Sequence, residues 1–132
     1  MTCVWDSLIA GINETDMRCV LSLEKSQTQA RPEKFVAALK HLNRPTPNVL
    51  WQGTALRKQE LKENQEWIHD YNVCAINNGH DTGTSDPFFF LICELFNISI
   101  RHKYRGHEIR YDHPSTRYTI RVCSNSGHMN VC

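Results

Sequence analysis

A cysteine near one end of the chain and a histidine near the other could together carry out nucleophilic chemistry. Cys3 comes just before an apolar stripe at helical spacing, which predicts a helix that begins at the cysteine. The helix dipole and the unpaired backbone N–H groups of a helix start stabilise a thiolate. His128 follows a glycine turn and enters a short predicted strand. A thiolate with a histidine that accepts and returns its proton is the chemistry of a thiol protease.

Asn130 is the predicted third member of this set. Residues i and i+2 of a strand point to the same face, so Asn130 is expected beside the ring of His128. An amide oxygen that accepts a hydrogen bond from the imidazole would fix its tautomer and aim its other nitrogen at Cys3. On spacing alone, however, a cysteine on an apolar helix is more often part of a core, and a single histidine more often lies on a surface.

A zinc site is a second interpretation of the C-terminal end. Cys123, His128 and Cys132 have the spacing Cys-x4-His-x3-Cys. A structural zinc site needs four ligands, and it commonly begins with Cys-x2-Cys, which this segment lacks. The fourth ligand would come from one of three other histidines: His102, His107 or His113.

The elements that must position these residues are helical in the first part of the chain and extended in the last. The patterns predict a first helix at residues 3–11, a second capped by Thr15 or Asp16, and a third that Pro32 opens. Residues 58–71 form a charged amphipathic helix and residues 88–95 a buried one, capped by Ser85 or Asp86. Loops are predicted at 26–31 and 77–85, and strands at 73–76, 98–101, 109–111 and 118–122. Helices followed by a mostly antiparallel sheet are typical of the α+β class.

The composition of the 132 residues is that of one globular domain with no strong preference for a charged partner. A net charge of +1 argues against a nucleic-acid footprint, and no apolar run is long enough to span a membrane. The start lacks the pattern of a signal peptide, so the six cysteines are expected as free thiols in a reducing cytoplasm. Cys3, Cys19, Cys74 and Cys93 lie in apolar, core-like segments. We expect no metal and no cofactor, and we expect a monomer.

Three segments resemble the ovarian-tumour (OTU) family of cysteine proteases. Residues 3–8, Cys-Val-Trp-Asp-Ser-Leu, are similar to the family's nucleophile helix. Residues 82–96 and 98–100 resemble its glycine-containing loop, buried helix and following strand. Residues 118–122 and 127–130, which end in Gly-His-Met-Asn, are similar to its closing strand and histidine motif. The resemblance covers both ends and the C-terminal half, and the small size resembles the compact viral members.

This resemblance implies an OTU, papain-like fold and a deubiquitinase activity. The substrates would be conjugates of ubiquitin or of a ubiquitin-like protein, cleaved after the modifier's C-terminal glycine, and a viral polyprotein would be a further substrate. The catalytic residues would be Cys3, His128 and Asn130. A narrow channel for the two terminal glycines of ubiquitin would be bordered by the substrate-binding residues Thr82, Gly83, Thr84 and Asp86. The protein would act in the cytoplasm, that of the host if the source is viral, without nucleic acid or membrane.

The sequence departs from the family pattern at two places. The family usually carries an Asp-Gly-Asn-like stretch before the cysteine, which supplies oxyanion-hole N–H groups, whereas only Met1 and Thr2 precede Cys3. Either the chain is a domain cut from a longer protein or this loop is missing. Met129 stands where the family commonly has an aromatic residue. A third interpretation is therefore an inactive domain that binds ubiquitin or another protein without cleaving it.

Overall fold

The computed structural model describes residues 3–78, 85–125 and 128–131, with the backbone alone for Cys3, residues 124–125 and residues 128–131. The protein is of the α+β class, with helices followed by one mixed sheet, as the patterns predict. The described helices are α1 (Cys3–Gly11), α2 (Glu14–Leu21), α3 (Lys25–Ala30), α4 (Pro32–His41), α5 (Lys58–Asp70) and α6 (Pro87–Phe96), with a 3₁₀ helix at Val73–Asn78 between the last two. The first helix has the predicted bounds.

Two segments have a secondary structure other than the predicted one, because local hydrogen bonds from backbone to side chain stabilise it. Residues 26–31 were expected to be a loop, but most of them belong to α3. The side chain of Gln27 accepts the N–H of Glu24 at 3.2 Å and so caps this helix. Residues 73–76 were expected to be extended, but they form part of the 3₁₀ helix. There the side chain of Asn72 accepts the N–H of Cys74 at 3.0 Å, which closes a tight turn.

The described strands are β1 (Leu50–Trp51), β2 (Thr54–Ala55), β3 (Ser99–Tyr104), β4 (His107–Asp112), β5 (Thr119–Asn125) and β6 (His128–Val131). Their order across the sheet is β2-β1-β4-β3-β5-β6. Among these strands, only β3 and β5 pair in parallel. β4 runs back antiparallel to β3, and β5 then runs in the direction of β3 on its other side. The prediction of a mostly antiparallel sheet is therefore confirmed, and the short β1–β2 hairpin is an addition to it.

The sheet has one face against the core, and α6 packs on it. The helix is buried along nearly its whole length, as predicted, and Phe89 meets His102 and Tyr111 of the sheet edge-on at 5.5 and 5.3 Å. Alternate residues of β3, β4 and β5 are buried on the same face. They are Ile100, His102, Ile109, Tyr111, Ile120 and Val122.

A buried carboxylate, that of Asp16, joins α2 to the start of β5. It accepts hydrogen bonds from the guanidinium of Arg117 at 2.7 Å and from the hydroxyl of Tyr118 at 2.6 Å. The same guanidinium donates to the carbonyl of Phe96 at the end of α6. Although burial raises the pKa of Asp16, these two hydrogen bonds and the charge of Arg117 lower it overall. The network fixes the connection between α1 and α2 against the sheet.

We expect Asp16→Asn to lower the free energy of unfolding by about 1–3 kcal/mol, because charged hydrogen bonds are lost in a buried place. The folded-state pKa of Asp16 lies below its unfolded value, so its contribution is present above about pH 4 and is lost as the pH falls through the folded-state pKa. Urea unfolding at several pH values measures both effects. Glu14→Gln, exposed in the same helix, is the control. A loss equal to that of the control would contradict the structural role of the network.

The end of α1 approaches β5 so closely that only glycine fits. A Cβ atom added to Gly11 would lie 2.6 Å from Cγ2 of Ile120, whose branched side chain has little room to move. Helix propensity predicts that Gly11→Ala stabilises by up to about 1 kcal/mol. The contact predicts the opposite, a loss of about 1–3 kcal/mol. Thermal unfolding decides the sign, and the loss should disappear when the same change is made in an Ile120→Ala background. Stabilisation by Gly11→Ala alone would overturn this contact.

Candidate active site

The helix that begins with Cys3 lies in the interior of the protein. Trp5, Leu8 and Ile9 are completely buried, and the helix contacts α3 and α4 as well as β5 and β6. A helix packed on several sides keeps its N-terminus in a fixed place. Its first N–H groups have no partner within the helix, so the backbone around Cys3 has the electrostatic character that stabilises an anion.

The strand that carries His128 and Asn130 is brought against this helix. β6 lies at an edge of the sheet, pairs with β5 and is contacted by α1. The fold thus joins elements from opposite ends of the sequence, which is the first requirement of the predicted site. The side chains of Cys3, His128 and Asn130 lie outside those that the structure describes, so the predicted hydrogen bonds among them remain predictions.

The strand register limits where these residues can meet. Val122 is buried in the core and lies opposite Val131, whereas Cys123 lies opposite Asn130. Residues opposite each other in an antiparallel pair share a face of the sheet, and faces alternate along a strand. Positions 128 and 130 therefore belong to the outer face, away from the side on which Gly11 meets Ile120. The register by itself does not bring position 128 to the face of Ile120, so the meeting of Cys3 with His128 stays a prediction.

An aromatic cluster holds the first turn of α1 against the start of α6 and the end of α5. The ring of Trp5 meets Phe88 of α6 edge-on at 5.0 Å, and Tyr71 meets the same Phe88 at 5.1 Å. Trp67 of α5 completes the cluster at 5.8 Å from Phe88 and is 43% exposed. The cluster fixes Trp5, two residues after Cys3, relative to the segment that leads into α6. Sequence patterns place these aromatics on three helices, with Trp67 and Tyr71 on the same one, and give no sign that the three helices meet.

Of the predicted channel residues, Asp86 lies in the described part of the chain, whereas Thr82, Gly83 and Thr84 lie outside it. Asp86 is the N-cap of α6, as predicted, and its carboxylate accepts the N–H of Phe88 at 2.9 Å. Its backbone N–H donates to the buried hydroxyl of Tyr111 at 3.2 Å. Asp86 is only 2% exposed, so its described role is to fix the start of α6. Contact with a substrate stays a prediction.

The cysteines differ from the expectation of six free thiols. Cys93 is buried as predicted, and burial raises the pKa of its thiol. Cys19 and Cys74 are free but exposed, which corrects their assignment to core-like segments. Cys19 misses the core because Met17 and Leu21, four residues apart, form the inward stripe of α2. Cys123 is disulfide-bonded, so the prediction of a free thiol is wrong there.

The zinc interpretation loses one of its three spaced ligands and one of the three candidates for the fourth. A cysteine in a disulfide cannot supply the thiolate that zinc binds, which removes Cys123. His102 is fully buried between Phe89 and Tyr104, and burial lowers its pKa. It therefore packs in the core as a neutral ring. Within the described ranges, no cluster of three or more His, Cys, Asp or Glu side chains could hold a metal ion.

A row of arginines across the outer face of the sheet is a feature that the sequence patterns did not reveal. The register places Arg110, Arg101 and Arg121 side by side on β4, β3 and β5. Each arginine sits in a strand of ordinary alternating pattern, and only strand pairing makes them neighbours. The signal available in the sequence is limited to the recurrence of basic residues at outward positions.

No described helix is long and apolar enough to cross a bilayer. In comparisons with known proteins, the chain matches no family model, no curated protein and no solved structure.

Proposed function

We propose that the protein is a cysteine protease of the OTU type, which hydrolyses amide or isopeptide bonds after the C-terminal glycine of ubiquitin or a ubiquitin-like protein. The observation that carries the proposal is the contact between α1 and β6, because these elements begin with Cys3 and His128. The substrate follows from the resemblance of the two end segments and the 82–100 region to that family. On this proposal the fold is papain-like, with α1 as its central helix, and the protein acts as a monomer in the cytoplasm.

The reaction would proceed by two acyl transfers. His128 takes the proton of the Cys3 thiol, and the sulfur attacks the carbonyl carbon of the terminal glycine. The tetrahedral intermediate collapses to a thioester as His128 returns the proton to the departing amine. Water, deprotonated by the same histidine, then attacks the thioester, releases the free glycine carboxylate and restores the thiol.

Two features would lower the barrier of these steps. Backbone N–H groups at the start of α1, which point along the helix dipole, can donate to the oxyanion of the intermediate. Asn130, two residues after His128 on the same strand, can orient the imidazole through its amide oxygen. An amide adds no charge, so the thiolate–imidazolium pair would depend on the helix dipole and on mutual attraction.

Recognition of the ubiquitin tail is proposed for residues 82–86. A tail that ends in two glycines needs a narrow channel bordered by backbone, and Thr82, Gly83, Thr84 and Asp86 precede the buried helix α6. The aromatic cluster of Trp5, Phe88 and Tyr71 ties the start of α6 to the first turn of α1. The channel would therefore be held in a fixed position relative to Cys3.

Hydrolysis of ubiquitin that carries a fluorogenic amide at its C-terminus tests the proposal. We expect turnover under reducing conditions, with release of the fluorophore and an unmodified ubiquitin carboxylate by mass spectrometry. Ubiquitin dimers and a fluorogenic ubiquitin-like protein extend the assay to natural bonds. Binding of ubiquitin without any turnover would favour the inactive interaction domain, and neither binding nor turnover would reject the substrate.

A further inference from the structure

We infer that the outer face of β3, β4 and β5 is a docking surface for an acidic, extended segment of a partner protein. This outer basic face consists of four basic side chains and two acidic ones: Arg101, Lys103, Arg110, Arg121, Glu108 and Asp112. The inference does not rest on the proposed catalytic reaction, although positions 128 and 130 of the neighbouring strand β6 belong to the same face of the sheet.

The strand register creates an unfavourable concentration of positive charge on this face. Arg110, Arg101 and Arg121 are direct neighbours on three adjacent strands, about 4.8 Å apart from strand to strand. Like charges directly opposite each other destabilise a sheet. The whole chain carries a net charge of only +1, so the surplus on this face is local. An anionic group that lies against such a row reduces the repulsion among the arginines and so stabilises the sheet.

The carboxylates already on the face neutralise it in part. Arg101 is paired with Asp112 at 2.7 Å, and both side chains are partly buried. Arg121 pairs with Glu108 at 3.7 Å, but these side chains are 62% and 53% exposed. An exposed pair of this kind contributes little and exchanges readily with another carboxylate. Within the described part of the chain, Lys103 and Arg110 make no ion pair, so they remain available to a partner.

The face is concave and open. A cavity of about 350 Å³ is lined by Arg101, Lys103, Gly106, Glu108, Arg121 and Cys123. The helices that contact the sheet lie on its other side, where Phe89 meets His102 and Gly11 meets Ile120. No described helix covers the outer side. Along β3, the outward side chains of Arg101 and Lys103 are two residues apart, the same spacing as alternate side chains of an extended peptide.

The chemistry of the lining favours carboxylates over nucleic acid. Arginine binds a carboxylate with two parallel hydrogen bonds. Single-stranded nucleic acid is usually held by aromatic side chains on which bases stack. The described outward residues of β3, β4 and β5 include no aromatic ring; Tyr104 and Tyr111 belong to the alternate positions. An acidic peptide in extended form matches these features.

Fluorescence anisotropy with a labelled twelve-residue peptide, glutamate alternating with serine, tests the inference. We expect it to bind at least about tenfold more tightly than the same peptide with glutamine, and to weaken as salt rises from 50 to 300 mM. Arg110→Glu and Arg121→Glu should each weaken binding about tenfold. Arg121→Gln, a milder change, should weaken it less. Lys62→Glu on α5 changes the net charge equally and should leave binding within about twofold.

Equal binding of the glutamate and glutamine peptides would overturn the inference, and so would equal losses in Lys62→Glu and Arg121→Glu. Tighter binding of a single-stranded oligonucleotide of the same charge, lost in the same two arginine variants, would reassign the face to nucleic acid. Thermal unfolding of each variant shows that the sheet is intact, and Arg121→Gln serves if a charge reversal unfolds it.

Discussion

Cys3→Ala is expected to reduce turnover of the ubiquitin amide by at least about 10⁴-fold, because no other group replaces the sulfur that forms the thioester. The fold should persist, since the interior contacts of α1 come from Trp5, Leu8 and Ile9. The steady-state rate measures the loss of turnover, and the melting temperature shows whether the fold persists. Cys19→Ala and Cys74→Ala, at the exposed free thiols, are the matched controls and should retain wild-type turnover.

Retained activity in Cys3→Ala, or its loss in one of the two controls, would assign the nucleophile elsewhere. Loss of activity together with a large drop in melting temperature would leave the role of the sulfur open. Cys3→Ser then decides, because serine keeps the size of the side chain but is a far weaker nucleophile without further activation.

The second large effect concerns the base and the group that orients it. We expect His128→Ala to remove nearly all turnover, because the histidine transfers a proton in both acyl-transfer steps. Asn130→Ala should cost less, on the order of 10- to 1000-fold, since orientation is only a part of general-base catalysis. Asn130→Asp should retain substantial activity because a carboxylate accepts the same hydrogen bond.

Comparison of kcat with KM separates these roles from a structural one. A loss confined to kcat fits a base and an orienting group, whereas a parallel change of melting temperature points to disruption of the edge strand. Wild-type turnover in Asn130→Ala with an inactive His128→Ala would remove Asn130 from the site and require another orienting group. Activity in His128→Ala would reject the mechanism.

The elements that the sequence predicts well are those with a strong apolar period and a clear cap. In α1, the spacing of Trp5, Leu8 and Ile9 marks the buried side, and in α6 the pair Asp86-Pro87 marks the start. Such signals are local, so they can be recognised without knowing the rest of the fold. The same holds for the alternating patterns of β3, β4 and β5.

The elements that the sequence does not predict depend on polar contacts or on pairing over long distances. The helix α3 is mostly polar, with Thr28 as its buried residue, so no apolar period announces it. The β1–β2 hairpin depends on a tight turn in which Gln52 and Gly53 both adopt positive φ. The disulfide of Cys123 is also a matter of the folded arrangement.

The candidate site likewise combines local signals, which the sequence shows, with contacts that only the fold supplies. The type and position of Cys3 suggest a nucleophile, and the C-terminal motif suggests its base, but only the fold brings α1 against β6. The register then adds a constraint that alternation within a single strand could not supply. It assigns positions 128 and 130 to the face of Cys123, the face away from Ile120.

The exposed thiols also determine how the central claim has to be tested. A general alkylating reagent would modify Cys19 and Cys74 whatever the nucleophile is. A ubiquitin with an electrophile in place of its terminal carboxylate reacts instead with the thiol to which the tail is delivered. The proposal further requires that Cys3 is not the partner of Cys123 in the active protein.

The most direct measurement is therefore to incubate the protein with this ubiquitin electrophile, with and without reductant, and to locate the adduct by peptide mass spectrometry. The proposed mechanism predicts one adduct, at Cys3, which is absent from Cys3→Ala and forms much more slowly in His128→Ala. The same digest shows which cysteine is bonded to Cys123. An adduct at Cys19 or Cys74, or ubiquitin that binds without an adduct under reducing conditions, would contradict the claim that this protein is a cysteine protease acting through Cys3.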